Sequence, residues 1–332
     1  MANFGNTLVV TGGGLGDTLF HLPFIRSIQQ QAKGKSVVLA CKKGREISEL
    51  FSEVDMVRSV LPIAKDQDVS GQPDLLRLTG QIRAEKIETV FVFHKSKGIS
   101  FATWVAGVRN RYGYYFKGGI NRFFLNKGIC VAKDVPLPAF MSHAALVMDA
   151  ADIGYDCSDV NFRQPEYVVE QAFKQLELDS SSRMVALGIN SSAEYKQWGG
   201  EGYSAIAERL LAAFPGKVLL FGAGDVKAVA EKILSETASP ERFVDLTTRK
   251  VALNHSHALL QQCDFYVGND SFGLNLAAMS SLPAVGIFIK SYHFSYSDWI
   301  RPVISSSDNI HDISVEMVWG EVVKLLKAEK SR

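Results

Sequence analysis

The chain has few cysteines, and their spacing does not suit a disulfide framework or a zinc site. The 332 residues contain four cysteines, at Cys41, Cys130, Cys157 and Cys263, without a C-x-x-C pair. Scattered thiols of this kind are typical of a reducing compartment. We therefore predict reduced, buried thiols in a cytoplasmic protein.

Long hydrophobic runs are also absent. The sequence has no stretch of 18 apolar residues, and its N-terminus lacks a basic segment followed by an apolar one. We therefore expect neither a membrane-spanning helix nor a secretion signal, although contact with the inner face of the cytoplasmic membrane stays open. The net charge is only +1, and RNP and helix-turn-helix patterns are missing, so nucleic acid is not an expected partner.

Acidic residues are missing from one long segment of the first half. Residues 89–133 contain no Asp or Glu but eight Lys or Arg, with aromatic residues between them. Residues 1–165 hold 20 basic and 15 acidic residues, whereas the rest of the chain holds 16 and 20. Either this segment binds an anionic glycan or membrane, or it is a solvated face over core aromatics. On the first alternative, the contact residues are Lys95, Lys97, Arg109, Arg111 and Arg122.

The first strand of the chain leads into a glycine-rich turn. The run Thr7–Val10 is followed by Thr11-Gly-Gly-Gly14-Leu-Gly16-Asp17, and a helical pattern then begins. Unpaired N–H groups at such a junction favour anions. The dinucleotide fingerprint fails because Asp17 stands where its third glycine belongs, and a P-loop fails because no Gly-Lys-Ser/Thr follows. Asp17 is thus either a functional carboxylate or a helix cap.

A second junction of the same kind follows the strand Asp264–Gly268. Asp270 and Ser271 suit the start of a helix, and Gly273 would let a ligand approach the backbone. The G-x-S-x-G pattern of hydrolases is absent, since Asn269 replaces its first glycine. Further candidates follow other predicted strands: Ser191, Ser192 and Lys196 for phosphate, Gly222 and Asp225 for ribose, and Thr247 for a nucleotide wall.

Strand and helix patterns alternate in both halves, which predicts α/β domains with parallel sheets. A chain of 332 residues is also longer than one core usually supports. We predict two domains, residues 1–165 and 166–332, with a last helix at about 314–328 that packs back on the first domain. The Asp66-Gln67-Asp68 sequence follows no predicted strand, so we expect no metal site there.

Four motifs occur in an order that is typical of one enzyme family. They are Gly16-Asp17 before Leu22–Arg26, Lys196-Gln-Trp198 before Tyr203, Phe221-Gly-Ala223, and Asn269-Asp-Ser271 before Pro283. Together they resemble glycosyltransferase family 9, the ADP-heptose:lipopolysaccharide heptosyltransferases. The resemblance implies a GT-B fold, with two Rossmann-like domains that face each other across a central cleft. The first would bind the acceptor and the second the nucleotide sugar.

The resemblance also implies a reaction. A sugar, heptose from ADP-heptose, would pass with inversion and without a metal or other cofactor to an anionic glycan or glycolipid acceptor such as the lipopolysaccharide inner core. Asp17 would be the general base. Ser191, Ser192 and Lys196 would grip the donor diphosphate, while amides around Asp270–Gly273 would stabilise the leaving group.

The chain departs from the family pattern beside the second junction. The family usually has glycine and histidine at positions that hold Phe272 and Asn275 here, and Asn275 can hydrogen-bond but cannot carry a proton. Alternatives therefore stay open: a GT-B sugar-nucleotide epimerase or hydrolase, or a non-catalytic glycan-binding protein. A nicotinamide oxidoreductase is opposed by the broken dinucleotide fingerprint.

Overall fold

A computed structural model describes residues 4–63, 74–133, 139–157, 160–191, 193–222, 226–292 and 296–329. The chain forms two compact units, residues 1–157 and 158–332. This division falls a few residues before the predicted one because the connecting segment is bonded to the second unit. Phe162 N–H donates to the Met279 carbonyl at 2.6 Å, and Gln164 N–H donates to Gln261 Oε1 at 2.7 Å.

The first unit is built on a six-stranded parallel sheet in the order β3-β2-β1-β4-β5-β6. Its strands are β1 Thr7–Val10, β2 Val37–Cys41, β3 Val57–Pro62, β4 Thr89–Val92, β5 Asn110–Phe116 and β6 Lys127–Val131. Its helices are α1 Leu15–Phe20, α2 Leu22–Gln31, α3 Gly44–Phe51, α4 Leu75–Ala84, α5 Lys97–Val105 and α6 Ala139–Ala150. A short 3₁₀ turn, Ile120–Phe123, lies between β5 and β6.

The second unit repeats this architecture, with the strand order β12-β11-β10-β7-β8-β9. Its strands are β7 Met184–Gly188, β8 Lys217–Phe221, β9 Phe243–Asp245, β10 Tyr266–Asn269, β11 Ala284–Phe288 and β12 Ile300–Ile304. Its helices are α7 Glu166–Gln175, α8 Gly200–Ala213, α9 Lys227–Glu236, α10 Leu253–Leu260, α11 Phe272–Met279 and α12 Val315–Glu329. If the strands of each unit are numbered 1 to 6 along the chain, both sheets have the order 3-2-1-4-5-6 of the Rossmann fold.

Hydrophobic burial explains which strands are central. Every residue of β1, β4, β7 and β10 is buried, as expected for parallel strands covered by helices on both faces. The edge strands β6 and β12 are partly exposed. Each unit has its own core, which includes Leu8 and Val90 in the first and Val185 and Val267 in the second.

One expectation stays a prediction and another differs from the structure. Helix α12 buries Val318 and Val322 in the core of the second unit, and its packing on the first domain stays a prediction. Cys41 and Cys263 are buried, but Cys130 and Cys157 are exposed, so the prediction of four buried thiols is wrong for half of them. Burial raises the pKa of Cys41 to about 12. Among the described residues, no helix is long and apolar enough to span a membrane.

Candidate functional site

The two candidate sites occupy equivalent places in the two sheets. In an open parallel sheet, ligands bind beyond the carboxyl ends of the strands, at the point where the strand order reverses. That point lies between β1 and β4 in the first unit and between β7 and β10 in the second. Asp17 follows β1, Lys196 follows β7, and Asp270 follows β10. Both glycine turns therefore lie at the carboxyl edges of their sheets, and ligand binding there stays a prediction.

Asp17 is the third residue of α1 and bonds back to the start of its own helix. The Gly14 N–H, at the N-cap position, donates to Asp17 Oδ2 at 2.7 Å. A Cβ atom on Gly13 would lie 2.5 Å from the Asp17 Cβ, so only glycine at this position leaves room for the carboxylate. One carboxylate oxygen thus performs the capping role that the sequence allowed, and this bond fixes the orientation of the whole carboxyl group.

The backbone around Asp17 is held by buried polar contacts. The hydroxyls of Thr11 and Thr18 are hydrogen-bonded at 2.9 Å, which joins the end of β1 to the first turn of α1. His21 Nδ1–H donates to the Asp17 carbonyl at 2.6 Å, and its ring stacks on Phe93 with the centroids 5.2 Å apart. These contacts give the carboxylate a rigid support.

His94 and two lysines form the surroundings of Asp17, and sequence reasoning missed His94 and Lys42. The His94 ring lies over Gly12, where a Cβ would be 2.5 Å from its Cδ2. Ser96 N–H donates to His94 Nδ1 at 3.2 Å, which leaves the proton of a neutral ring on Nε2. Burial lowers the pKa of His94, and Lys42 and Lys95 lower it further against the opposing effect of Asp17. The available signal was that Lys42 and His94 directly follow predicted strands.

The basic residues predicted to bind the acceptor do not form one surface. Lys95 and Lys97 follow β4 and Arg122 follows β5, so all three lie at the carboxyl edge of the sheet with Asp17. Arg109 immediately precedes β5 and therefore lies at the opposite edge. The four residues of β4 alone span about 13 Å at roughly 3.3 Å per residue. Arg109 therefore does not share the edge that carries Asp17, and its contact with the acceptor stays a prediction.

Arg111 has a structural role instead. It lies near the start of β5, where its Nε donates to the Phe124 carbonyl at 2.6 Å and its Nη1 donates to the Val108 carbonyl. Burial lowers the pKa of this guanidinium. Because these bonds anchor the segment that leads from β5 to β6, reversing the charge of Arg111 would perturb the fold and cannot test acceptor binding.

In the second unit, the candidate phosphate residues converge on Asp270. Lys196 Nζ lies 2.5 Å from Asp270 Oδ2, and the two side chains are only 21% and 18% exposed. Ser191 Oγ donates to the Asp270 carbonyl at 3.1 Å. Trp198 N–H donates to Asn269 Oδ1 at 3.2 Å, so the segment after β7 is fastened to the end of β10. These contacts place one lysine and one hydroxyl beside the N-terminus of α11.

Asn275 lies in the first turn of α11, where it pairs with Tyr296. The Tyr296 hydroxyl donates to Asn275 Oδ1 at 2.5 Å. Burial raises the pKa of Tyr296, and the negative charge of Asp270 raises it further. Tyr296 therefore stays a neutral donor, and its bond fixes the Asn275 amide. Sequence reasoning missed Tyr296 because 21 residues separate it from Asn275.

Gly273 is explained by packing rather than by a ligand. A Cβ at this position would lie 2.7 Å from the Tyr266 hydroxyl and 3.0 Å from the Phe221 ring. Packing alone therefore accounts for glycine at this position, and approach of a ligand to Gly273 stays a prediction. Ser271 is the N-cap of α11, whose first N–H groups point beyond the end of β10 and suit an anion.

The other candidate residues have mixed outcomes. Thr247 N–H and Oγ1 both donate to Asp245 Oδ1, at 2.8 and 2.7 Å, so they form a local turn after the edge strand β9. Gly222 directly follows β8, and Gly16 lies within α1. Ser192, Asp225 and the Asp66–Asp68 segment lie outside the described residues. In the part of the chain that the structure describes, no group of His, Cys, Asp and Glu is arranged to hold a metal ion.

Comparison with known protein families identifies the family to which this fold and this sequence are similar. The family model described as glycosyltransferase family 9 (heptosyltransferase) matches residues 75–311, which is more than half of the chain. The lipooligosaccharide heptosyltransferase 2 of Haemophilus influenzae is 25% identical over 264 residues, covering 76% of this chain and 72% of the relative.

Solved structures of low sequence identity share the fold. The ADP-heptose lipopolysaccharide heptosyltransferase II of E. coli has a TM-score of 0.77 at 19% identity, covering 98% of this chain and 99% of that one. The E. coli heptosyltransferase WaaC with ADP-2-deoxy-2-fluoro heptose has a TM-score of 0.71 at 14% identity, covering 96% and 99%. Two parallel six-stranded sheets with this similarity define a GT-B fold.

Proposed function

Since the chain belongs to glycosyltransferase family 9, the heptosyltransferase family, we propose that it transfers heptose from ADP-heptose to a hydroxyl of an anionic glycolipid. The acceptor class is the inner core of lipopolysaccharide or lipooligosaccharide. Transfer inverts the anomeric centre and uses no metal. The observation that carries this proposal is the carboxylate of Asp17, held in a fixed orientation at the point where the first sheet reverses its strand order.

On the acceptor side, Asp17 acts as the general base. As the acceptor oxygen attacks the anomeric carbon, its proton passes to the Asp17 carboxylate and the bond from that carbon to the diphosphate oxygen breaks. A single displacement of this kind inverts the centre. The Gly14 N–H bond aims the carboxylate before the acceptor arrives, so no reorientation is needed in the transition state.

The surroundings of Asp17 suit an anionic acceptor. Lys42 and Lys95 act electrostatically on His94, which in turn interacts with Asp17, so positive charge lies next to the base. With Nδ1 occupied by Ser96 N–H, neutral His94 offers Nε2–H as a donor to a sugar hydroxyl or phosphate. Lys97 and Arg122, at the same edge of the sheet, extend the positive charge outwards.

On the donor side, Lys196 and the first turn of α11 stabilise the departing ADP. A leaving diphosphate gains negative charge in the transition state, and a lysine with helix N–H groups stabilises it without rearrangement. The contact with Asp270 holds the Lys196 ammonium in place, and the three donors of an ammonium let it bond Asp270 and a phosphate oxygen together. Ser191 supports this arrangement through the Asp270 carbonyl.

The test is the variant Asp17→Asn, which keeps the size of the side chain but removes its basicity. Transfer from ADP-heptose to a heptose acceptor should fall about 10²–10⁴-fold. ADP affinity, measured by calorimetry, should be unchanged because the candidate donor residues lie in the second unit. Near wild-type transfer by Asp17→Asn would reduce Asp17 to a helix cap. Rapid loss of ADP-heptose without acceptor would instead indicate a hydrolase or epimerase.

A further inference from the structure

A cluster of large apolar side chains is exposed on the first unit. Phe101 and Trp104 on α5 are 41% and 49% exposed, while Ile120 and Phe123 of the 3₁₀ turn are 47% and 64% exposed. We call these four side chains the apolar patch. Scattered exposed hydrophobic residues are ordinary, but a contiguous group on one surface usually marks a binding site.

Ring contacts join the two α5 side chains of the patch to Phe124, the residue that follows the 3₁₀ turn, and α5 packs on this turn. The half-buried ring of Phe124 lies beneath the patch, with its centroid 5.3 Å from that of Phe101 and 5.8 Å from that of Trp104. Phe101 and Trp104 are themselves 5.9 Å apart. The Arg122 guanidinium lies 4.6 Å from the centre of the Phe123 ring, so a cation is built into the surface.

The two elements that carry the patch contain charges of one sign only. Both elements that carry it belong to residues 89–133, which contain no Asp or Glu. Three basic side chains are exposed on these elements. Lys97 begins α5, Lys117 precedes the 3₁₀ turn, and Arg122 lies within that turn. Aromatic side chains surrounded by Lys and Arg fit a bilayer with anionic headgroups, because the rings enter the interface while the cations pair with phosphate.

The patch adjoins the candidate acceptor site. Asn121, in the middle of the 3₁₀ turn, donates from its Nδ2 to the Lys95 carbonyl at 3.4 Å. The turn therefore lies beside the loop that carries His94 and Lys95, at the same edge of the sheet as Asp17. A glycolipid anchored in the bilayer beneath the patch would present its sugars at this edge.

We propose that the apolar patch docks the enzyme on an anionic phospholipid bilayer, with Trp104 and Phe123 inserted at headgroup level. The inference deepens the proposed function, since it identifies the surface through which a membrane-held acceptor is reached. Binding combines burial of the four side chains with attraction of Lys97, Lys117 and Arg122 to the lipid phosphates. Neither term needs a nucleotide sugar or an acceptor.

The experiment is vesicle flotation with the full chain. Vesicles of phosphatidylcholine alone are compared with vesicles that contain phosphatidylglycerol at about three lipids in ten, a content in the range of anionic membranes. Wild-type protein should float with the anionic vesicles and largely remain behind with the neutral ones. The double variant W104Q/F123Q should bind at least about tenfold more weakly, since it removes the two most exposed rings of the patch.

The matched control is L146Q/M317Q, which changes two apolar residues of similar exposure, 41% and 44%, outside the patch. It should bind like the wild type. A second variant, Trp104→Phe, should keep binding but lose the vesicle-induced blue shift of tryptophan fluorescence. Transfer to a water-soluble glycan acceptor should be equal in the wild type and W104Q/F123Q, which shows that the variant is folded.

Three results would overturn the proposal. The first is absence of wild-type binding to anionic vesicles, and the second is equal binding by W104Q/F123Q. The third is a wild-type dimer, seen by sedimentation, that W104Q/F123Q abolishes, because a second copy would then cover the patch. Failure of the proposed function is distinguishable, since loss of heptose transfer would leave vesicle binding unchanged.

Discussion

Replacing Gly13 by alanine is a direct test of the role of Asp17, because it moves the carboxylate without changing its chemistry. The added Cβ would lie 2.5 Å from the Asp17 Cβ, whereas carbon atoms in contact are about 3.5–4.0 Å apart. The first turn of α1 must therefore shift by about 1 Å or more. Gly13 is outside the set of residues with positive φ, so alanine strains the backbone only through this contact.

The expected loss follows from this displacement. A shift of about 1 Å in a catalytic group costs on the order of 10²-fold in rate. The Gly14 N–H bond to the carboxylate is also weakened, and a hydrogen bond to a charged group contributes about 1.5–3 kcal/mol. We therefore expect kcat for heptose transfer to fall about 10²-fold in Gly13→Ala, with ADP affinity unchanged.

The control is Gly14→Ala, one residue along. Its Cβ would lie 3.9 Å from Asp17 Oδ2, an ordinary contact, and Gly14 has φ −75°, which suits alanine. Replacing glycine at the N-cap lowers the unfolding free energy by about 0.5 kcal/mol, so urea unfolding should show Gly14→Ala close to the wild type and Gly13→Ala folded but less stable. Equal kcat losses in both variants, or wild-type kcat in Gly13→Ala, would refute the assignment of Asp17 as the base.

Three further changes give distinct outcomes. Lys196→Met should weaken ADP binding about 10–100-fold in calorimetry, with adenosine binding unchanged, because a charge-assisted bond to phosphate is lost; equal losses would mean a folding defect. Tyr296→Phe removes the donor that fixes Asn275, so the donor KM should rise several-fold at constant acceptor KM, and an unchanged donor KM would place this pair outside the donor site. Burial lowers the pKa of His257 to about 3, helped by nearby Arg163. Between about pH 6.5 and pH 3, His257 therefore binds a proton in the unfolded state but stays neutral in the folded state. The unfolding free energy measured in urea should fall by about 1.4 kcal/mol for each pH unit below about 6.5. This loss should disappear in His257→Gln, and its persistence there would assign the acid sensitivity to other groups.

The alternation of elements was readable from the sequence because buried central strands are continuous hydrophobic runs. Strand β1, Thr7–Val10, has the predicted bounds, and β10 begins two residues later and ends one residue later than the predicted strand Asp264–Gly268. Strands away from the sheet centre were missed, among them β5 and the edge strand β6. β5 contains Arg111 and β6 begins with Lys127, so their mixed composition was interpreted as a binding surface. Without β5, the opposite placement of Arg109 and Lys95 could not be known.

The sequence predicted individual candidate residues, but it did not predict which of them contact each other. The ends of predicted strands identified Asp17 in the first unit and Lys196 and Asp270 in the second. Crossover connections bring the carboxyl ends of the strands to the same edge within each sheet. The contact of Lys196 with Asp270 joins residues 74 positions apart, and the interaction of His94 with Asp17 joins two strands. Such distances in sequence carry no local signal. The packing that requires glycine at position 273 was not predicted either, since a Cβ there would meet the Tyr266 hydroxyl of β10 and the Phe221 ring of β8. Approach of a ligand to Gly273 stays a prediction.

The fully buried central strands have a consequence for motion on slow timescales. The candidate residues follow β1, β4, β7 and β10, whose amides are paired on both sides and shielded from water. Amide hydrogens of such strands exchange with solvent only through large-scale opening, whereas those of edge strands such as β12 exchange after local fraying. The proposed general base and the proposed diphosphate-binding residues are thus attached to the slowest-exchanging parts of their units. Changes in substrate preference can accumulate in the outer loops while the reacting groups keep their positions.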